Sequence, residues 1–136
     1  VTRTFPEGAL DTLALVREFH AAFSRPTRDV PTMAAKDAIR RAALIGEEAG
    51  EFAAAALRSD LAAALDALID LQYVIDGAFL EMGLGELKRR AFLAVHLANM
   101  AKLWPDGSAR LTEHGKIVKP PGWVAPDLRD LLSSVP

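Results

Sequence analysis

Glu47, Glu48 and Glu51 fall within little more than one turn of a predicted helix. At 100° per residue they lie within about 100° of one another, with Leu44 between them and Phe52 beside Glu48. None has a Lys or Arg three or four residues away, and Glu47 and Glu51 form a like-charge i,i+4 pair. Such a pair destabilises an isolated helix by roughly 0.2–0.5 kcal/mol. An ordinary solvated face is the competing reading, because Lys36, Asp37, Arg40, Arg41 and Arg58 project onto the same broad arc. The opposite side is small: Ala42, Ala43, Gly46, Ala49, Gly50 and Ala53. Each glycine costs about 1 kcal/mol relative to alanine in a helix interior, so a second backbone is expected to approach closely there.

The next helix carries two more acids in less hospitable surroundings. Residues 61–80 are apolar nearly all round, which predicts a buried helix. Asp66 and Asp70 nevertheless sit on it one turn apart, and no base occurs between Ser59 and Leu87. The stripe around Asp70 holds Ala63, Ala67 and Gly77, with Tyr73 and Val74 alongside. An ionised carboxylate in such a groove must be paired, protonated or metal-bound. If the two helices pack antiparallel across the short link at Arg58–Asp60, Glu48 and Glu51 come opposite Asp70. Four or five carboxylates then converge. An all-oxygen set of this kind suits Mg²⁺ or Mn²⁺ rather than zinc.

These elements belong to a chain of 136 residues, expected to form a single all-α domain over 1–136. Apolar residues make up 51% and charged residues 25%, enough for a core and unlike a disordered tail. The absence of cysteine excludes disulfides, thiolate metal sites and a cysteine nucleophile. Sixteen bases against eighteen acids make nucleic acid an unexpected partner. The charge is segregated, however: nine acids and one base between Ala42 and Leu87 leave that stretch at −8, and the remainder at +6. The longest run free of charged residues, Ala91 to Ala101, has 11 residues, well short of the ~20 needed to cross a bilayer. The N-terminal VTRTFPEG has no apolar signal core, so no membrane partner and a cytoplasmic location are expected.

Periodicity and punctuation predict a helix from about Ala9 to Phe23, a second capped by Thr32 and running to Leu57, and a third capped by Ser59 and running to Met82. Gly83 is a ready C′ residue for the third. A fourth helix spans Gly85 to about Leu103. A turn at Pro105–Gly107 leads to a hairpin or irregular excursion around His114-Gly115, and a short helix from Pro126 to Leu132 closes the chain. Four long helices with short links imply a four-helix bundle with an irregular C-terminal tail. A bundle this small does not readily cover an all-round apolar third helix, so a homodimer or homotetramer is expected. His20 is placed at the core edge, His96 at a helix interface and His114 in a turn. Trp104 and Trp123 are expected to anchor the tail.

GEEAGEF (Gly46–Phe52), DALIDLQYV (Asp66–Val74), HLANMAKLWPDG (His96–Gly107) and HGKIVKPPGW (His114–Trp123) together resemble the MazG-like all-α nucleoside triphosphate pyrophosphohydrolases. The tail is most similar to compact, dUTPase-like members. The resemblance implies Mg²⁺-dependent cleavage between the α- and β-phosphates of a nucleoside triphosphate, most closely dUTP, to a monophosphate and pyrophosphate. It implies Glu48, Glu51 and Asp70 as metal ligands, and Glu47 as a further ligand or the group that directs the attacking water. Many members have Glu three residues before the aspartate. Here that position is Ala67, so either Asp66 substitutes or one ligand is missing. Lys102, Lys116 and Lys119 are candidates for the outer phosphates, Asn99 for phosphate or sugar, and Tyr73 for a ligand carboxylate or the nucleotide. Phosphoribosyl-ATP pyrophosphohydrolysis and a non-catalytic helical module that binds metal or a partner are the alternatives.

Overall fold

The computed structural model describes residues 8–135 and is all-helical, with no strand among those residues. Its helices are α1 (Thr12–Ala22), α2 (Ala35–Leu57), α3 (Leu61–Glu81), α4 (Lys88–Met100) and α5 (Arg129–Ser133). The fold is compatible with a helical bundle, as four of these are long. The chain groups into two compact units that divide after Gly85. Residues 1–7, most of the segment behind the expected cytoplasmic location, lie outside the described residues.

In the first unit α1 and α2 both pack on α3. Asp11 caps α1 and Asp60 caps α3, each carboxylate accepting a backbone N–H three residues on, at 3.0 Å. The expected caps are therefore displaced at two points. Ser59 adopts a left-handed conformation (φ 55°) to turn the chain between α2 and α3, which leaves the capping position to Asp60. Thr32 donates its hydroxyl to the Val30 carbonyl instead, and α2 begins at Ala35 without a side-chain cap. The link of three residues folds α2 back along α3. The N-terminal half of α2 thus lies beside the C-terminal half of α3, and Arg41 reaches Glu81. The α1–α2 connection is tied to the end of α3 by Arg28 N–H to Leu80 O and Thr32 N–H to Met82 O, both 2.9 Å. Gly83 ends α3 in a left-handed turn (φ 68°), pressed so close to the Val30 carbonyl that a side chain would collide with it.

Two sequence expectations about packing change here. First, α3 is not enclosed all round within the chain: Leu61, Leu65 and Ile69 are 84%, 62% and 60% exposed. Its buried residues are Ala67, Asp76, Gly77, Leu80 and Glu81, small and charged groups apart from Leu80. Second, no backbone approaches Gly46 or Gly50, since a Cβ at either would meet nothing within 4 Å. The small face of α2 is open in this chain. Both faces belong to helices whose inner surfaces are already occupied by each other.

In the second unit α4 leaves a 3₁₀ turn at Gly85–Leu87 and gives way to turns after Met100. An isolated antiparallel bridge, Leu111 to Ile117, closes the excursion over Gly115 (φ 78°). The last helix starts at Arg129, three residues later than Pro126, because Asp127 turns its carboxylate onto the Arg129 N–H at 2.9 Å. His96 is exposed instead of lying at a helix interface, and His20 is fully buried instead of at the core edge. No helix among the described residues is long and apolar enough to cross a membrane.

Candidate active site

The three α2 glutamates differ in exposure. Glu47 and Glu51 are exposed, whereas Glu48 is half-buried, and its Oε2 is hidden from solvent with no hydrogen-bond partner. On α3, Asp70 is half-buried and Asp66 exposed. Burial is the main cause that pushes the Glu48 carboxyl above its ordinary value. The charges of Glu51, Asp70 and Glu47 push it further. The helix hairpin therefore brings Glu47, Glu48, Glu51 and Asp70 into one electrostatic neighbourhood. Ala67, on the same helix, is buried, which leaves that position without a ligand.

The bases that share the arc with these glutamates do not neutralise them. Arg41 is buried and Arg40 half-buried, and both donate to Glu81 Oε1, at 2.8 and 2.5 Å. Arg28 donates to the Glu81 carbonyl and, at 2.6 Å, to Asp37. Glu81 is completely buried. Burial alone would raise it, but hydrogen bonds from Arg41 and Arg40, and then their charges, bring it down to about 2. His20 completes the cluster. Its Nδ1 donates to the Pro26 carbonyl (3.0 Å), so Nε2 carries the lone pair that accepts from Arg41 (3.3 Å). Burial first, and the Arg41 charge among the other causes, hold this imidazole below its ordinary value against the opposing Pro26 bond.

Sequence reasoning missed this cluster, although a signal was present. Asp76 and Glu81 are acids on the same apolar helix as Asp70. The register that sets Asp70 against Glu48 and Glu51 sets Glu81 against Arg40 and Arg41. Space for the Arg41 guanidinium comes from Gly77, where a Cβ would lie 2.3 Å from Nη1.

Tyr73 is 40% exposed and meets Phe19 edge-on, with centroids 5.6 Å apart. The remaining predicted contacts lie in the second unit. There Lys102 donates to Asn99 Oδ1 at 2.8 Å, and Lys102 and Lys119 both stand over the Trp123 ring, at 5.2 and 4.6 Å. Trp123 and Trp104 donate their indole N–H groups to the Ala98 and Val118 carbonyls, which fastens the tail within that unit. Lys116 is exposed.

As donors the acidic residues fit a hard divalent cation: all are oxygen ligands, and one buried oxygen has no other partner. Among the described residues no group of three or more His, Asp or Glu side chains already stands in coordinating arrangement. Binding an ion would therefore require side-chain movement.

A family model described as phosphoribosyl-ATP pyrophosphohydrolase matches residues 16–99, more than half of the chain. The matched stretch contains every acidic candidate, Tyr73 and Asn99, and stops short of Lys102, Lys116 and Lys119. No curated protein matches the chain.

Proposed function

We infer the function from one premise: the chain belongs to the phosphoribosyl-ATP pyrophosphohydrolase family, all-α enzymes related to MazG, and is a nucleotide pyrophosphohydrolase. The substrate we propose is phosphoribosyl-ATP, cleaved between its α- and β-phosphates. This reverses the order suggested by the tail resemblance, which favoured dUTP. The family match supports phosphoribosyl-ATP over dUTP. The dUTP reading rests on residues 96–123, nearly all beyond the matched range. A non-catalytic helical module is left without support.

The observation that carries the mechanism is Glu48, a carboxylate with one oxygen hidden, unpartnered and surrounded by like charges. In this reading Glu48, Glu51 and Asp70 hold Mg²⁺ (or Mn²⁺ in its place), with Asp66 as a further ligand once it turns inward. An ion held by these carboxylates would supply positive charge to the phosphates and lower the pKa of a water at the site. Glu47, exposed at the edge of the cluster, takes the proton of the attacking water or orients it. Lys102, Lys116 and Lys119, with Asn99, are proposed to meet the outer phosphates. Lys102 and Lys119 both stand over the Trp123 ring, which gathers two positive charges in one place.

The exposed leucines and Ile69 on α3 support a homodimer or homotetramer built on that face. The test of the function is pyrophosphate release with Mg²⁺ from phosphoribosyl-ATP, dUTP and ATP. Release should be lost in Glu48→Gln and Asp70→Asn chains that keep their helical circular dichroism. Folded variants with undiminished turnover would remove Glu48 and Asp70 from the site.

A further inference from the structure

A cleft of about 280 Å³ opens between α1, α2 and α3, at the lower end of ordinary ligand pockets. It adjoins the acidic cluster on both walls. Leu44 lies one turn before Glu48 on α2, and Tyr73 follows Asp70 by three residues on α3. One side is aromatic, formed by Tyr73 and Phe19, whose rings meet edge to face at 85°, with Phe23 stacked on Phe19 at 4.4 Å. The other side is cationic, with the guanidinium groups of Arg25, Arg40 and Arg41 lining it. Arg40 and Arg41 share the carboxylate of Glu81, with Asp37 4.0 Å from Arg40, and Arg41 Nε is buried without a partner. Arg25 is exposed, and among the described residues no carboxylate pairs with it. An aromatic wall with surplus positive charge, placed against a phosphate-cleaving centre, suits a planar base that bears an anion of its own.

That chemistry separates the candidate substrates. ATP and dUTP carry all their charge on the triphosphate, whereas phosphoribosyl-ATP has a second phosphate, joined through a ribose to the adenine. We propose that the cleft seats the adenine against Phe19 and Tyr73, and that Arg25 binds the phosphate of the phosphoribosyl group. Arg25 is thereby the residue that selects this substrate over simple triphosphates. The inference rests on the reading of the acidic cluster as the cleavage centre, and its test does not depend on cleavage.

Calorimetric titration of the full chain in EDTA with phosphoribosyl-AMP and with AMP isolates the base side from the metal chemistry. The chain should bind phosphoribosyl-AMP about tenfold or more tightly than AMP, the difference expected of one charge-assisted contact. Arg25→Gln should abolish the difference with AMP affinity unchanged, Arg25→Lys should restore part of it, and Phe19→Ala should weaken both ligands. Arg25 is exposed and outside every helix, so its variants keep the fold. Equal affinity for the two ligands, binding of neither, or an equal loss for both in Arg25→Gln would overturn the assignment. Failure of the cleavage reading shows itself separately, as no pyrophosphate from any nucleotide with Mg²⁺.

Discussion

Glu81 and Glu48 both withdraw carboxylate oxygens from water within one three-helix unit. Glu81 is held by two guanidinium groups, while Glu48 is crowded by three carboxylates. The first arrangement is closed in charge: Glu81 Oε1 accepts from Arg40 and Arg41, and Arg41 donates on to His20, although Glu81 Oε2 and Arg41 Nε are buried without partners. The second is open in charge: Glu48 Oε2 is likewise without a partner, and the charged groups that act on this carboxyl are Glu51, Asp70 and Glu47, all of its own sign. Burial costs each carboxylate solvation, and the two differ in what offsets that cost. Where partners come from the chain, the charge serves the fold. Where the chain supplies only like charge, the balance is left for a cation from outside. The difference can be attacked from either side.

The largest effect should follow from breaking the closed cluster. Glu81→Ala leaves Arg40 and Arg41 without their shared acceptor and should cost about 3–5 kcal/mol, as removing one partner of a buried pair does. Urea unfolding measures this directly. A loss below about 1 kcal/mol would mean that the arginines reach water and that the cluster is not structural. The same change on the open side should have the opposite character. Glu48→Gln relieves repulsion, so its melting temperature should equal or exceed that of the parent chain in EDTA. Pyrophosphate release should fall at least ~100-fold, the loss that even outer-shell partners of a metal can cause.

The contrast was half legible in the sequence. Unpaired acids on an apolar helix pointed to Asp70, and the antiparallel hairpin around residue 59 followed from a short break between two long periodic segments. The all-α fold and the neighbourhood of Glu48, Glu51 and Asp70 required nothing more. Arg41 was misread because a helical projection treats every charged residue on an arc as solvated. A base is buried when a residue 40 positions away supplies the carboxylate and Gly77 supplies the space. Local spacing cannot express that. The caps were misread for a related reason: Ser59 and Asp60 both qualify chemically, and the left-handed turn decides between them.

Acid titration should sharpen the comparison, because the groups respond with different signs. Glu81 lies near 2 when folded and at about 4.5 when unfolded, so its stabilisation is present above 4.5 and lost as pH falls toward 2. His20 is depressed below 6.5, so the unfolded chain takes up its proton first and stability falls as pH drops below 6.5. Glu48 is raised above 4.5, so the folded chain binds its proton first. Its penalty is present above the folded value and fades as pH falls through it. Urea midpoints between pH 7 and pH 2 should decline overall, and the decline above pH 4.5 should steepen in Glu48→Gln, which lacks the opposing contribution. Mg²⁺ at pH 7 should raise the parent's melting temperature, equivalent to about 2.7 kcal/mol at a hundred times its dissociation constant. Asp70→Asn should not show that rise. A rise of equal size in both would place the ion elsewhere.

The smallest effect concerns the outer face of the helix that carries Glu48. Gly46 and Gly50 flank it in sequence, yet a methyl group at either meets nothing within 4 Å. In the isolated chain Gly46→Ala and Gly50→Ala should therefore each stabilise α2 by up to about 1 kcal/mol, through helix propensity alone. Gly77→Ala should do the reverse, since its methyl would displace the buried Arg41 guanidinium. If α2 instead meets another helix on assembly, the two outer substitutions should lower the mass measured by light scattering while the unfolding midpoint of the separated chain still rises. That outcome would explain why a helix already burdened with adjacent like charges keeps two residues that weaken it further. Unchanged mass with higher stability would leave the α3 face, with Leu61, Leu65 and Ile69, as the surface through which copies join.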